Sequence, residues 1–386
     1  MFFVFTLMVV AMNVYDWWRL CRAFIGGHTF WSVTMLLVVL GLTVAPGLLM
    51  GMMRPSDLRG WLIQCCWIWL ALSFMMACVF LVTDLWNLGE NLLYIARRPS
   101  GTVLRLQIPP LWQGIAALAY MAVAVIWGLC EAHAIRVKEI VVESPKVPAD
   151  VGDYRIALVS DLHLGPAANF ARVRKTVRLV NECQADLVLS AGDLIDGFGR
   201  REQRMAEILR AFQCRSARKL AVEGNHDVYS GIDHSREMHR LADLELLEEA
   251  GTLLDGWLYV HGVLDPGHGG RPMPGQARHS STLPVPPDGS FSLLLEHRPE
   301  QFPGQPVYDL SLSGHTHGGQ IFPFNFLVKL QYPLKVGVLH RLENGHLLYN
   351  SPGTGLWGPP FRILARPEVT LVILRHEGIA SPNNKE

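Results

Sequence analysis

Five short segments of this chain concentrate oxygen and nitrogen donors: Asp161-Leu162-His163, Gly192-Asp193-Leu194-Ile195-Asp196, Gly224-Asn225-His226-Asp227, Glu296-His297-Arg298-Pro299 and Gly314-His315-Thr316-His317-Gly318-Gly319. Carboxylate, amide and imidazole donors without thiolates suit Mn, Fe or Zn in a reactive site, not a structural zinc site. Asp161, His163, Asp193, Asn225, His297, His315 and His317 make seven donors, more than one ion needs. Two ions sharing a carboxylate fit that set better. A pair roughly 3.5–4 Å apart can hold a bridging hydroxide, lower its pKa and clamp phosphoryl oxygens during in-line attack. Taken singly each segment is weak, because a strand-end His is usually a solvated polar residue and Asn or Asp often caps a helix. Their weight comes from occurring together.

The elements before each segment explain how the donors could meet. Short apolar runs precede them: Ile156–Ser160, Leu187–Ser190, Leu220–Val222, Phe291–Leu295 and Leu310–Leu312 read as strands. Arg172–Glu182 and Arg201–Phe212 have helical periodicity, and Arg136–Glu143, Leu258–Val260, Leu347–Tyr349 and Val369–Leu374 read as further strands. Strands alternating with covering helices make a layered α/β fold, and in open α/β sheets ligands bind at the strands' carboxyl ends. Glycines beside the donors, Gly192, Gly224 and Gly314, permit sharp turns and close backbone approach.

The first third of the chain is of another kind. The 386 residues are 50% hydrophobic, and the excess lies before about Ala134. Four apolar stretches, near Phe2–Trp18, Phe30–Met50, Trp61–Trp86 and Leu111–Ala134, approach the roughly 20 residues that span a hydrocarbon layer. Trp17, Trp18, Trp31, Trp61, Trp86 and Trp112 sit at their ends, where an amphipathic ring prefers the headgroup layer. The first stretch lacks a basic flank and a small-residue cleavage site, so it reads as a retained span and not a signal peptide. Charged residues deep in the spans are nearly absent, which argues against a transporter. Loop arginines are too evenly spread to assign a side. Lys plus Arg balance Asp plus Glu at 34 each, so no basic surplus points to nucleic-acid binding. The seven cysteines show no CxxC spacing and no disulfide framework.

The five donor blocks, in this order, resemble the full signature of the calcineurin-like metallophosphoesterases. The similarity covers roughly Arg136–Arg375. Gly318-Gly319-Gln320, Asn350-Ser351-Pro352-Gly353-Thr354-Gly355, Arg362 and Pro367-Glu368-Val369 further resemble a bacterial membrane-associated phosphodiesterase subgroup, which includes a relative that hydrolyses UDP-2,3-diacylglucosamine. The resemblance implies that Asp161, His163, Asp193 and His317 hold one ion, that Asp193 bridges to a second, and that Asn225, His297 and His315 complete it. It further implies His226 as the acid that protonates the leaving oxygen, with Asp227 orienting it, and Asp196 as a support of a ligand loop. The implied fold is a two-sheet sandwich flanked by helices.

The expected architecture is therefore a multi-pass α-helical membrane region over residues 1–135, an α/β (α+β) two-sheet sandwich over 136–376, and a disordered tail over 377–386. The expected activity is a membrane-anchored, dinuclear-metal phosphoesterase, a phosphodiesterase or pyrophosphatase. Its cofactors would be two divalent ions, Mn favoured over Fe or Zn; its partners a lipid- or nucleotide-linked phosphoester and the bilayer, with no nucleic acid; its location the bacterial inner membrane. The alternative from another class is a non-catalytic, metal-stabilised binding or scaffold module on a membrane anchor. Two stretches stand apart. Asp265–Asp288, with His268 and His279, reads as a loop near the site, and Ile321–Leu334 reads either as a core turn or as an apolar lip facing lipid.

Overall fold

The computed structural model describes residues 2–25, 32–34, 36–38, 57–97, 104–165, 168–197, 200–266, 283–299 and 308–378. Most of the expected span at Phe30–Met50, most of the Asp265–Asp288 loop and nearly all of the tail lie outside the described residues. The chain divides into two compact units, Met1–Leu129 and Cys130–Glu386.

The first unit contains helices α1 (Phe2–Leu20) and α2 (Asp57–Arg97) and most of α3 (Pro110–His133). Among the described residues two helical segments are long and apolar enough to cross a membrane, Gly60–Arg97 and Pro110–His133. One feature differs from expectation. Asn13, Asp16 and Arg19 of α1 are buried polar groups, and they meet α2: Trp69 Nε1 donates to Asn13 Oδ1 at 2.8 Å, Ser73 Oγ donates to Asp16 Oδ2 at 2.5 Å, and Arg19 pairs with Asp84 at 2.9 Å. Each of these α1 groups sits three residues from the next, so they share one helical face. The polar seam explains how α1 packs despite its charges.

Among the described residues, the second unit has twelve strands in two six-stranded sheets. In chain order these are β1 (Arg136–Ser144), β2 (Tyr154–Val159), β3 (Leu187–Ala191), β4 (Lys219–Val222), β5 (Glu245–Leu246), β6 (Ala250–Leu254), β7 (Leu258–Gly262), β8 (Phe291–Leu295), β9 (Leu310–Ser313), β10 (Leu339–Arg341), β11 (Leu347–Asn350) and β12 (Glu368–His376). One sheet runs β1-β12-β2-β3-β4-β5 and the other β10-β11-β9-β8-β7-β6. Strands β2 to β5 are mutually parallel, as are β7, β8, β9 and β11.

Alternation within β2 shows how the layers form. Ile156 and Leu158 enter a core shared with Leu293, Leu295, Leu310 and Leu312 of the other sheet. Ala157 and Val159 instead face a second core. That core holds Val173, Val177 and Val180 of α4 (Phe170–Glu182), Met205 and Leu209 of α5 (Arg200–Leu209), and Met238 of α7 (Ile232–Leu241). Because side chains alternate across a strand, one six-residue run supplies both layers. The result is a two-sheet sandwich with helices on one outer face.

A buried acid ties the sheets together. Glu368 on β12 accepts from Tyr349 Oη on β11, from Thr370 Oγ1 at 3.1 Å and from Arg136 at 3.2 Å on β1. Removing one partner of a buried charged network leaves the rest unsatisfied. Glu368→Ala is therefore expected to destabilise the unit by about 2–4 kcal/mol, read as a fall in Tm on the order of 5–15 °C by thermal unfolding, with Glu368→Gln falling less. An unchanged Tm for Glu368→Ala would refute this role.

Candidate metal centre

The sheet order brings the five donor segments to one edge of the sandwich. Asp161 and His163 follow β2, Asp193 follows β3, and Asn225 follows β4, three neighbouring parallel strands. His297 follows β8, and His315 and His317 follow β9, adjacent strands of the second sheet. Carboxyl ends of parallel strands point the same way, so all seven donors converge.

The backbone is forced to deliver them. Asp161, His163, Asp193, His315 and His317 all have positive φ, between 44° and 74°, a region costly for side chains with a Cβ. Hydrogen bonds between the loops hold them there: Asp161 N donates to Gly192 O at 3.0 Å, His163 N to Asp193 O at 3.0 Å, and His315 N to Asp161 Oδ1 at 3.0 Å. Two glycines are required by space alone. A Cβ on Gly224 would overlap Asp193 Oδ1, and one on Gly314 would overlap Ser160 Oγ and Asp161 Oδ2.

Two clusters of donors result. In the first, His163 Nε2 lies 2.9 Å from His317 Nε2, 3.6 Å from Asp193 Oδ2, and His317 Nε2 is 3.5 Å from Asp161 Oδ1. In the second, His297 Nε2 is 3.2 Å from both Asp193 Oδ2 and Asn225 Oδ1, and His315 Nδ1 is 3.2 Å from His297 Nε2. His297 Nδ1 lies 2.8 Å from the Ala191 carbonyl, an acceptor only, so Nδ1 carries the proton there and Nε2 presents its lone pair to the cluster. Asp193 belongs to both clusters through one oxygen. Buried lone pairs this close repel unless a positive charge lies among them, and the donor set fits a pair of divalent ions.

Protonation within the cluster answers to the same demand. Burial would lower His297, but Asp193 and Asp161 carry it up to about 10; likewise burial opposes His226, and Asp193 and Asp196 raise it to about 9. Burial would raise Asp193, yet His297, His226 and His163 hold it well below the usual carboxylate range. Asp161, in contrast, is pushed up by burial to about 6. His163 is lowered by burial to about 4, and His315 and His317 are held well below their ordinary value first by burial and then by neighbouring cations.

One expected pairing differs. Asp227 does not touch His226; it accepts from Gly224 N at 2.8 Å, Ile195 N at 3.0 Å and Leu194 N at 3.2 Å. It pins the loop that carries Asp193 to the turn that carries Asn225. His226 Nδ1 is instead 3.0 Å from Asp196 Oδ1, and its backbone N donates to Asp193 Oδ1 at 2.8 Å. The cause is helical geometry: His226 and Asp227 are consecutive in α6 (Asn225–Tyr229), and adjacent helical side chains diverge.

Some site residues carried no signal by type alone. Arg362, fully buried, has Nη2 3.1 Å from His317 Nδ1, and it donates to the carbonyls of Pro352 at 2.7 Å, Gly355 at 2.8 Å and Ala365 at 2.9 Å. It is a strut under a donor loop, satisfied by backbone. Asn350 Nδ2 donates to Gly314 O at 2.5 Å while its Oδ1 accepts from Thr316 Oγ1 at 2.6 Å, fixing the same loop from the other side. Trp357 and Tyr229 flank the His226 ring at 5.7 and 5.6 Å, and Tyr332 lies 5.7 Å from His315.

A two-sheet sandwich of mixed strand direction with this donor array at its edge defines a metal-dependent phosphoester hydrolase. Residues 154–319 match the calcineurin-like phosphoesterase family. An Aquifex aeolicus metallophosphoesterase is 30% identical over 266 residues, 67% of this chain and 100% of that protein. A Campylobacter jejuni metallophosphoesterase is 30% identical over 77% of this chain and 78% of its own length. The Danio rerio "transmembrane protein with metallophosphoesterase domain" is 30% identical over 68% of this chain, which spans 63% of that protein's length. The chain belongs to the calcineurin-like metallophosphoesterases.

Asp227→Ala would strand three buried N–H groups, each costing about 1–3 kcal/mol. The expected outcome is a clear fall in Tm together with lower metal content by elemental analysis after dialysis. Full metal occupancy in a folded Asp227→Ala protein would contradict the pinning role.

Proposed function

We propose that the chain is a membrane-anchored phosphodiesterase or pyrophosphatase that uses two divalent ions to cleave a lipid- or nucleotide-linked phosphoester. The observation that carries this reading is the convergence of two buried donor clusters on a shared Asp193. In this reading Asp161, His163, Asp193 and His317 hold one ion, and Asp193, Asn225, His297 and His315 the other. Mn is favoured by the absence of thiolates. When bound, such a pair supplies Lewis-acid polarisation of the phosphoryl group and an activated water nucleophile.

The chain's own part is to position and to move a proton. His226 is more exposed than His163, His297 and His317, at 19% against 1%, 0% and 8%. Asp196 accepts from its Nδ1–H, which stabilises the imidazolium and leaves the Nε2 proton to pass to the leaving oxygen. Trp357 and Tyr229 meet that ring edge-on and help to fix its orientation. His226→Ala is expected to retain metal while losing about 10²–10⁴-fold in turnover of a diester with a poor alcohol leaving group. It should lose much less with a nitrophenol leaving group, which needs no acid.

The membrane part rests on the apolar helices and on the transmembrane designation of the Danio rerio and Bos taurus relatives. The bacterial relatives favour a bacterial inner membrane, crossed more than once. Asp193→Ala and Asn225→Ala in the purified chain are expected to abolish hydrolysis of a generic diester and to reduce bound metal from two ions per chain. Retained turnover in both would sink the assignment.

A further inference from the structure

Helix α8 (Phe324–Gln331) follows the last donor block directly and packs little of its apolar surface. No residue of this helix is buried. Phe326 is 56% exposed, Leu327 52% and Leu330 83%, with Phe324 also exposed and Leu364 exposed beside them at 62%. Large apolar side chains exposed together on one short helix are the usual mark of a binding face. The core-turn reading of this stretch is thereby replaced by the apolar lip.

What covers the lip follows from its neighbours within the same unit. The end of the apolar helix α3 is bonded to the lip's own loop: Glu131 accepts from Ala365 N at 2.8 Å and Leu364 N at 3.2 Å, and Ala134 O accepts from Arg366 Nε at 3.2 Å. Residue 363 in turn joins the base of α8, with Phe322 N donating to Ile363 O at 3.2 Å and Ile363 N to Gln320 O at 2.8 Å. The 24-residue apolar helix rises roughly 36 Å, about the thickness of a hydrocarbon layer. On the membrane reading proposed above, on which this inference rests, its His133 end lies at the headgroup level, and the lip lies there with it. Charge agrees: from Leu310 to Leu342 the chain has no Asp or Glu, whereas Lys329, Lys335 and Arg341 are basic, and Lys329 Nζ lies over the Phe326 ring at 5.6 Å. Exposed apolar side chains with basic residues on and after the helix, and no acid among them, are the make-up of an interfacial segment.

We propose that α8, with Leu364, docks into the interfacial layer of the phospholipid bilayer that holds α3. Docking places the metal centre, whose His317 is linked to this loop through Arg362, at the membrane surface, so that substrate is taken from the bilayer plane. A soluble diester needs no docking and is turned over regardless.

The test uses the full-length chain in phospholipid nanodiscs, with a photoreactive benzoylphenylalanine in place of Leu327 or Leu330. Exposed Leu253 on β6 is the control position. After irradiation, intact-mass analysis is expected to show lipid adducts at 327 and 330 at least tenfold above those at 253. Adduct yields equal to the control, or crosslinks to a second copy of the chain in place of lipid, overturn the proposal. Turnover of a soluble nitrophenyl diester is measured in the same nanodiscs. Turnover without adducts removes the docking and leaves the hydrolase, whereas adducts without turnover remove the hydrolase and leave the docking.

Discussion

Everything at the catalytic end of this protein depends on holding electron-rich groups closer together than they would choose. Asp193 lies within 3.6 Å of His163 and 3.2 Å of His297 through a single oxygen, and its other oxygen accepts from the backbone of His226. Without positive charge such a cluster is repulsive, and burial removes the water that would screen it. Burial opposes protonation of His297 and His226, yet Asp193 raises both above the ordinary imidazole range. Divalent ions would supply positive charge more fully. A fold that keeps these groups together keeps a place for that charge.

Keeping them there needs backbone that is itself unfavourable. Five donors with positive φ represent strain of order 1–3 kcal/mol each, and such strain persists only where the surroundings over-determine it. The surroundings here are three braces of different chemistry. Asp227 gathers N–H groups from two loops, Asn350 gathers the Gly314 carbonyl and the Thr316 hydroxyl, and Arg362 gathers carbonyls around His317. Each brace reaches across from a different strand end. The shared core of Ile156, Leu158, Leu293 and Leu312 fixes where those strand ends stand, so rigidity passes from packing to hydrogen bonds to donors.

That hierarchy also determines what could be read without coordinates. Strands β2, β3, β4, β8 and β9 were legible because each is a short apolar run ended by Gly or a donor, a local pattern. The seven residues that converge at these strand ends were legible for the same reason. The braces Asp227, Asn350 and Arg362 could be named from the resemblance, but what each of them holds could not. Asp227 stands next to His226 in the chain and so looks like its partner, but helical geometry turns it away, and Asp196 arrives from another strand. Likewise β12 inserts between β1 and β2 by pairing over more than 200 residues, and the two-residue β5 is too short to show a period. The polar groups of α1 were visible as letters, yet only the packing of α1 on α2 shows that Asp16 finds Ser73 and Arg19 finds Asp84.

The same physics links the end of helix α3 to the donor loops. Glu131, in the final turn of α3, accepts from the backbone of Leu364 and Ala365, and the residue two positions earlier is Arg362, the strut of His317. A carboxylate accepting two backbone N–H groups makes charge-assisted bonds, stronger than neutral ones. Few soft joints therefore separate the last turn of α3 from the loop that carries His317. A flexible tether would leave that turn free of the donor loops. A carboxylate holding two backbone N–H groups, two residues from the strut of a donor histidine, instead extends the network of braces from the strand ends to the turn that enters the unit, and the positions of the donors depend on that whole network.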